Sequence, residues 1–458
     1  MTVPHRPRLQ RIAIVGGGWA GMAAAVQLQQ LGHQVHIWEA SRTWGGRARA
    51  LTLTGPQGQA WVADNGQHIL IGAYQQCLQL MHTVGLPAQN ALRRLPLDLR
   101  YADGTGLHLP DLPPPWDAAL GIARTRGWSW QEKLALLRTA SRWQRQQFRC
   151  PADASVADIC QGLPARLMQD FVDPLCVSAL NLPAQHASAS VFLRVLQDSL
   201  FFSGRGGSNL LIPRTDLSTL FPATAAHWLA AQGAQLHLGQ RIANVQFASH
   251  AQAGKGWMVQ GQAFDAVVLA TPSTEAARLV QHTTLPAAWH YSAQQWASQA
   301  AALPHTAIAT VYACAPPARS GTLLPAPMVA LRSHSTAPAQ FAFDKAQLGG
   351  PAGLLALVVS ASTHDKDLLQ KLVVQQAREQ LALPQLQALK TVIEKRATFA
   401  CTPQVQQQRP GMQIAPGLWA CGDYVQGPYP ATLEGAVRSG LQVAQAIASA
   451  PDTQHAAL

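Results

Sequence analysis

Arg11-Ile12-Ala13-Ile14-Val15-Gly16-Gly17-Gly18-Trp19-Ala20-Gly21, close to the start of the chain, is the stretch that decides the fold. Its first five residues form an apolar run that predicts a buried parallel strand, and its glycines have the G-x-G-x-x-G spacing of a turn from a strand into a helix. Gly16 permits the tight turn, Gly18 lets the backbone approach a pyrophosphate, and Gly21 lets the helix pack closely on the strand. A helix predicted over residues 22–30 then directs its N-terminal amides at the phosphates. The stretch therefore predicts an α/β, Rossmann-like nucleotide-binding domain.

A second strand, an acidic residue and a further glycine pair follow. The strand is predicted over residues 34–38, and Glu39 stands about 20 residues after the glycine turn, where a carboxylate binds a ribose hydroxyl and disfavours a 2′-phosphate. Gly45-Gly46-Arg47 comes next, and an arginine there can neutralise a pyrophosphate through its fork of N–H donors. This addition favours FAD over NAD, although a glycine turn with a solvated arginine would explain the 45–47 piece on its own.

Motifs at both ends of the chain resemble a known superfamily. Glu39 with Gly45-Gly46-Arg47, and Gly422-Asp423 near the C-terminus, are similar to the flavin-containing amine oxidases and carotenoid desaturases. More narrowly, the segments 64–68 (DNGQH), 176–181 (CVSALN) and 430–440 (PATLEGAVRSG) resemble the squalene-associated branch, the hydroxysqualene dehydroxylases of hopanoid biosynthesis. The resemblance covers nearly the whole chain.

This resemblance implies a single FAD site assembled from distant parts of the chain. Asp423 is expected to accept hydrogen bonds from ribityl hydroxyls or from groups near the phosphates, and residues 431–435 are expected to begin a helix that points at the isoalloxazine ring. Ile242 is expected to offer its backbone to the adenine. The residues predicted to contact FAD are Gly16, Gly18, Trp19, Ala20, Gly21, Glu39, Ala40, Gly46, Arg47, Gly66, Gln67, His68, Ile242, Gly422, Asp423, Thr432 and Leu433.

The length of 458 residues predicts two or three domains. A discontinuous FAD-binding domain of the glutathione-reductase and amine-oxidase type is expected over 8–75, 211–275 and 390–446. It should contain a helix over about 220–232 and a strand over 241–245. The two inserts, 76–210 and 276–389, are expected to form an α+β substrate domain that faces a membrane, and 447–458 a C-terminal tail.

Composition narrows the class of partner. The net charge of +11 favours anionic partners, either phosphates or acidic lipid headgroups, and no nucleic-acid recognition motif accompanies it. No run of eighteen apolar residues suits a membrane-spanning helix. The seven scattered cysteines include no C-x-x-C pair, which favours a reducing cytoplasm, and no metal site is predicted. We expect a cytoplasmic protein with peripheral contact to the inner face of the cytoplasmic membrane.

A basic, tryptophan-rich segment lies in the first insert. Residues 121–150 contain seven basic side chains and one acid. A helical wheel places Arg138, Arg142, Arg145 and Arg149 on one arc, with Leu136, Leu137, Ala140, Trp143 and Phe148 on the other side. The pattern is typical of an amphipathic helix on a membrane surface. A helix with a solvated basic face and an apolar side in the core explains it equally well.

The resemblance implies that FAD moves a hydride and that the protein supplies a proton donor. His68 is the first candidate because histidine titrates near neutrality; Tyr429 is the second and Asp64 the third. In the dehydroxylase interpretation the substrate is a hydrophobic C30 isoprenoid that loses an allylic hydroxyl, and an electron donor not identified by the sequence reduces the flavin. A carotenoid or phytoene desaturase, a flavin amine oxidase and a non-enzymatic prenyl-lipid escort remain alternatives.

Overall fold

The computed structural model describes residues 9–202, 204–250, 254–317 and 321–450, and for residues 202, 249, 250, 254 and 255 the backbone alone. The strands are, in chain order, β1 (Arg11–Val15), β2 (Gln34–Glu39), β3 (Ala50–Thr54), β4 (Ala60–Asp64), β5 (Leu70–Ile71), β6 (Leu92–Leu95), β7 (Asp98–Arg100), β8 (Gly106–His108), β9 (Leu210–Pro213), β10 (Gln235–Leu238), β11 (Gln246–His250), β12 (Gly254–Val259), β13 (Gln262–Phe264), β14 (Ala266–Leu269), β15 (His305–Cys314), β16 (Met328–Ala330), β17 (Phe341–Asp344), β18 (Leu354–Val359), β19 (Gln387–Phe399), β20 (Gln413–Ala415) and β21 (Leu418–Ala420).

Helices connect and cover these strands. The α-helices are α1 (Trp19–Gln30), α2 (Gln75–Thr83), α3 (Ala88–Ala91), α4 (Trp116–Arg124), α5 (Trp130–Arg145), α6 (Val156–Ile159), α7 (Ala165–Leu167), α8 (Asp173–Leu180), α9 (Ala189–Leu196), α10 (Leu217–Leu220), α11 (Pro222–Ala231), α12 (Ser273–Gln281), α13 (Ala287–Ala302), α14 (Lys366–Gln380), α15 (Pro403–Gln408) and α16 (Leu433–Ser449). Two segments are π-helical, Met168–Val172 and Gln197–Phe202, and Lys345–Leu348 is a 3-10 helix.

The nucleotide-binding sheet has the strand order β10-β2-β1-β14-β21-β20, parallel except for β20. Its central strands are buried on both faces, as a parallel sheet requires. Because side chains alternate along a strand, Ile12 and Ile14 pack with α1 and α16, while Ala13 and Val15 pack on the other face with residues of β12 and β13. This is the Rossmann-like α/β domain predicted from the glycine turn, with α1 starting three residues earlier than expected.

A second sheet, antiparallel and five-stranded, has the order β16-β17-β18-β15-β19. Helix α14 packs on one face of it, where Leu369 and Val373 meet Val311, and the fold as a whole is α/β with an inserted α+β domain. Strand β19 crosses the boundary predicted at residue 390 because it pairs along its length with β15. We therefore propose that the last segment of the FAD-binding domain begins after Phe399 and keep 8–75, 211–275, 76–210 and 276–389 as proposed boundaries.

Two local predictions were wrong. Residues 241–245 form no strand: Ile242 and Val245 are buried while the residues between them are exposed, a spacing of three that does not fit the period of two in a strand. The helix expected over 220–232 is interrupted at Phe221, since Pro222 has no N–H and restrains the residue before it.

Helix α16 is the last element of the described chain. Helix α16 continues to Ser449, so the tail predicted over 447–458 begins as helix. The rest of that prediction, residues 451–458, lies outside the described residues.

Candidate functional site

The glycine turn between β1 and α1 is shaped by backbone contacts that leave no room for side chains. Gly16 has φ +114°, a conformation that L-residues rarely adopt, and a Cβ there would collide with the carbonyl of Ala270. Gly21 lies against the Gly16 carbonyl, which holds α1 close to the end of β1. Helix α1 begins after Gly18 with no side-chain cap, so its first N–H groups are left for another acceptor such as a phosphate.

A second glycine pair faces this turn. Gly45 donates from its N–H to the Gly17 carbonyl at 3.0 Å, and a Cβ on Gly46 would stand 3.3 Å from the Gly18 Cα. Two loops without side chains thus lie opposite each other at the uncapped end of α1. This cradle, which side chains would fill, fits the pyrophosphate of a dinucleotide.

The carboxylate of Glu39 links the glycine turn to the segment that follows β2. One carboxylate oxygen accepts from Gly17 N and the other from Ser41 N, both at 2.7 Å. The structure thus places the predicted ribose acid at the end of β2, beside the glycine turn, with Ala40 exposed after it. Its contact with a ribose remains a prediction.

An ion pair joins the two ends of the chain. Arg47 Nη2 lies 2.6 Å from Asp423 Oδ1, and Arg47 Nη1 donates to the carbonyl of Ala397 at 2.6 Å. The two residues are 376 positions apart in sequence. Both were predicted as FAD contacts, and the structure brings them together in the region where β21 ends and the glycine pair begins.

The C-terminal half is built from the end of β21 and the start of α16. Gly422 N donates to Ser439 Oγ at 3.1 Å, and the Thr432 side chain caps α16 by accepting from Gly435 N at 3.0 Å. Leu433, the first residue of α16, is buried among the residues that pack on α1. Ile242, the predicted adenine contact, is buried beneath the other face of the sheet.

The structure gives the three candidate proton donors different partners. His68 Nδ1 lies 2.7 Å from the Gly66 carbonyl, and burial lowers the pKa of His68. A carbonyl can only accept, so Nδ1 carries the proton of a neutral ring and Nε2 is left as an acceptor. His68 in this state is not a proton donor at its free nitrogen.

Asp64 is buried, and one of its two carboxyl oxygens accepts a hydrogen bond from the backbone. Its Oδ1 accepts from Leu217 N at 2.8 Å at the start of α10. Burial raises the pKa of Asp64 to about 6, against the opposing influence of Lys345. Lys345 is itself buried and donates to Gln67 Oε1 at 3.2 Å.

Tyr429 has the most polar surroundings of the three. Its hydroxyl donates to Asp198 Oδ2 at 2.6 Å and accepts from Arg194 Nη2 at 3.0 Å. The guanidinium groups of Arg194 and Arg438 each lie 5.1 Å from the centre of its ring. Arg438 also pairs with Glu434, whose carboxylate accepts from the first amides of α2.

The sequence of this chain matches the family of flavin containing amine oxidoreductases over residues 19–448. The chain belongs to that family. It is an FAD-dependent oxidoreductase, and the cradle described above is formed by residues that fit FAD. Membership favours an enzyme over the non-enzymatic lipid escort.

Known relatives of this flavin oxidoreductase differ in how much of the chain they match. A protein named hydroxysqualene dehydroxylase, from Zymomonas mobilis, is 26% identical over 455 residues, which cover 93% of this chain and 96% of that protein. A zeta-carotene desaturase from Synechocystis is 39% identical over only 75 residues, 16% of this chain and 14% of that protein.

Solved structures confirm the fold. An oxidoreductase from Methanosarcina mazei superposes with a TM-score of 0.67 at 16% identity, covering 95% of this chain and 100% of that one. Among the residues that the structure describes, no helix is long and apolar enough to cross a membrane, and no cluster of histidine, cysteine and acidic side chains suits a metal ion.

Three further residues support the site of this flavin oxidoreductase, and no sequence motif predicted their role. Arg409 is buried behind the 423–429 loop, and Lys345 lies behind Gln67. Asn181 belongs to a segment recognised by resemblance, but its role was not predicted: its amide joins the end of α8 to Thr306, Thr398 and Ala361. An arginine or lysine that belongs to no motif carries no signal of burial.

The raised pKa of Asp64 predicts a measurable dependence of stability on pH. The folded protein holds the Asp64 proton up to about pH 6, whereas an ordinary aspartate releases it near 3.8, so the free energy of unfolding should fall as pH rises through that window. The contribution is about 3 kcal/mol. In Asp64→Asn, which keeps an acceptor for Leu217 N, the free energy of unfolding should fall less over this pH window. Denaturant titrations at about pH 4, 5 and 6 measure the difference.

Asp367→Asn, at an exposed position in the first turn of α14, is the matched control. It makes the same chemical change without altering the carboxyl of Asp64, so the decline attributed to Asp64 should persist in this variant. Equal slopes for Asp64→Asn and the parent would contradict the raised pKa of Asp64.

Proposed function

We propose that this enzyme is a hydroxysqualene dehydroxylase of squalene and hopanoid biosynthesis. The observation that carries the proposal is the match to a protein of that name over 93% of this chain and 96% of the relative. Similarity to a zeta-carotene desaturase is confined to 75 residues, so the part of the chain that builds the substrate domain is shared with the dehydroxylase. This difference favours reductive dehydroxylation over desaturation or amine oxidation.

The proposed substrate is a C30 isoprenoid with an allylic hydroxyl. The C–O bond breaks, the hydroxyl takes up one proton and leaves as water, and a hydride adds to the allylic carbon to give squalene. Reduced FAD bound in the cradle would supply this hydride, which carries the two electrons of the reduction. An electron donor outside this chain restores the reduced state.

Tyr429 is the residue we propose as the proton donor to the leaving hydroxyl. It immediately precedes the Pro430–Leu433 turn, where α16 begins, and burial together with the bond to Asp198 raises the pKa of its phenol. The phenol therefore still carries the proton at neutral pH, and in the proposed reaction its O–H turns from Asp198 to the leaving hydroxyl of the substrate. Arg194, 3.0 Å from the hydroxyl, can stabilise the phenolate that forms when the proton leaves.

Neighbouring charges complete this arrangement. Asp198, which pairs with Arg194 at 2.9 Å, lies in the π-helical segment Gln197–Phe202 and orients the phenol. Such single-turn π segments recur at functional sites. His68 does not suit the role because its free nitrogen is an acceptor, and Asp64 suits it less than Tyr429 because a pKa of about 6 leaves its carboxyl mostly ionised at neutral pH.

Anaerobic single turnover tests the proposed reaction. Enzyme whose FAD has been reduced by light is mixed with 12-hydroxysqualene, and squalene is measured by gas chromatography while the oxidised flavin absorbance is followed. We expect one squalene for each flavin reoxidised. If reduced enzyme is inert and oxidised enzyme instead desaturates phytoene or squalene, the desaturase alternative is correct.

Tyr429→Phe should slow the reoxidation of reduced flavin by 12-hydroxysqualene about 100-fold while FAD stays bound. The removed hydroxyl is the proton source, and the remaining ring still fills its place between the two arginines. Tyr291→Phe, on the exposed surface of α13, is the control and should react as the parent. A normal rate for Tyr429→Phe would remove Tyr429 from the reaction and return His68 and Asp64 to consideration.

A further inference from the structure

Helix α5 carries a second apolar face that is turned to solvent. Its inner face is buried through Leu136 and Trp143. On the outside, Trp130 is 74% exposed, Leu134 46% and Leu137 40%. Their spacing of four and three residues places them on one line along the helix. We call these three residues the outer stripe.

The outer stripe differs from the face expected from the helical wheel. Leu137 was predicted to lie on the same buried side as Leu136 and is exposed instead. The helix ends at Arg145, and Gln147 and Phe148 have positive φ, so Arg149 is not on it as predicted. A helix with its apolar side in the core explains the inner face and leaves the outer stripe without a partner in the described part of the chain.

Basic side chains border the outer stripe on one side. At about 100° per residue, Arg138 and Arg145 lie within about 80° of Trp130 around the helix. Both arginines are exposed. Arg142, in contrast, donates to the Ile159 carbonyl at 2.7 Å and is not available to a partner.

The start of α5 is rigid, which fixes Trp130. Ser129 and Glu132 form a capping box there. The buried ammonium of Lys133 lies 4.7 Å from the centre of the Trp130 ring and donates to the Ala123 carbonyl at the end of α4 at 2.7 Å. Helix α4, which contacts α5, begins with another exposed aromatic side chain, Trp116, at 68%.

We propose that the outer stripe of α5 docks on an anionic lipid bilayer, with Trp130, Leu134 and Leu137 in the headgroup boundary and Arg138 and Arg145 against lipid phosphates. Tryptophan and leucine suit that boundary, and a positive border gives charge complementarity to acidic lipids. The segment 121–150, with seven basic residues and one acid, supplies a positive field of longer range. This lipid contact does not depend on which substrate the enzyme uses.

Sedimentation of the FAD-loaded enzyme with lipid vesicles tests this surface. Vesicles of phosphatidylcholine with phosphatidylglycerol should bind the parent protein, those of phosphatidylcholine alone should bind it much less, and salt should weaken the binding. Trp130→Ser with Leu134→Gln and Leu137→Gln should weaken binding to the anionic vesicles at least about 10-fold. Arg138→Gln with Arg145→Gln should weaken it about 10-fold or more and abolish the preference for phosphatidylglycerol.

A second triple variant provides the control. Tyr291→Ser, Leu238→Gln and Leu368→Gln change residues that are 81%, 40% and 45% exposed on other elements, and this variant should bind as the parent. Flavin content and thermal midpoint show that each variant is folded. Parental binding by the outer-stripe variant would overturn the proposal. The proposal would also be overturned if the parent protein did not bind anionic vesicles but formed dimers that the outer-stripe variant abolished.

Discussion

Gly440→Ala is expected to yield a colourless, strongly destabilised protein. The glycine lies in α16 where that helix crosses α1, and a Cβ there would stand 2.9 Å from Ala24 N and even nearer the carbonyl of Ala20. Both are backbone atoms, so no side chain can turn aside. Relief requires α1 and α16 to separate, at a cost of about 3 kcal/mol (the upper part of the range for overpacking).

Separation of these helices acts directly on the FAD site. Helix α1 begins at the glycine turn, and α16 carries Ser439, which holds Gly422. A shift between them changes the distance between the two halves of the cradle. FAD content is measured by visible absorbance relative to protein, and stability by thermal unfolding.

Gly411→Ala is the matched control because a Cβ at Gly411 would meet nothing within 4 Å. That variant should keep its FAD and its thermal midpoint. Parental colour and stability in Gly440→Ala would show that the contact between α1 and α16 does not set the geometry of the FAD site.

Arg409→Lys is expected to lose FAD and about 3–5 kcal/mol of stability, because several buried carbonyls lose their donor at about 1–3 kcal/mol each. The guanidinium is buried, lies 4.5 Å from the centre of the Phe399 ring and donates hydrogen bonds to the 423–429 loop. A lysine ammonium has neither the planar fork nor the reach to replace it. Its backbone acceptors in this loop are the carbonyls of Asp423, Tyr424, Val425, Gly427 and Tyr429.

The loop that Arg409 holds contains both Asp423, the partner of Arg47, and Tyr429, the proposed proton donor. Its release should therefore affect cofactor binding as well as folding.

Arg378→Lys is the comparison, since Arg378 Nε donates to one carbonyl, that of Leu386, at 2.9 Å. Arg378→Lys should lose about 1 kcal/mol at most. Chemical denaturation with flavin fluorescence as a second signal separates the two variants, and similar losses in both would contradict the proposed role of Arg409.

The two helix predictions show where pattern reading fails. A helical wheel for residues 121–150 identifies an amphipathic helix. It cannot show which of two apolar faces of α5 packs on the core, since the adjacent residues Leu136 and Leu137 differ: Leu136 is buried and Leu137 is exposed. The prediction of a single helix over 220–232 overlooked Pro222, although the sequence contained that signal. The first error needed tertiary contacts, and the second did not.

The sequence by itself determined β1, the glycine turn, α1 and β2, and with the C-terminal motif it determined FAD and the family. These features follow from steric limits and hydrogen bonds among residues close in the chain. Only the tertiary structure decided that Arg47 meets Asp423, that Arg409 supports the loop to Tyr429, and that the His68 ring presents an acceptor. Such contacts depend on how distant segments pack, and a single sequence does not encode them as a local pattern.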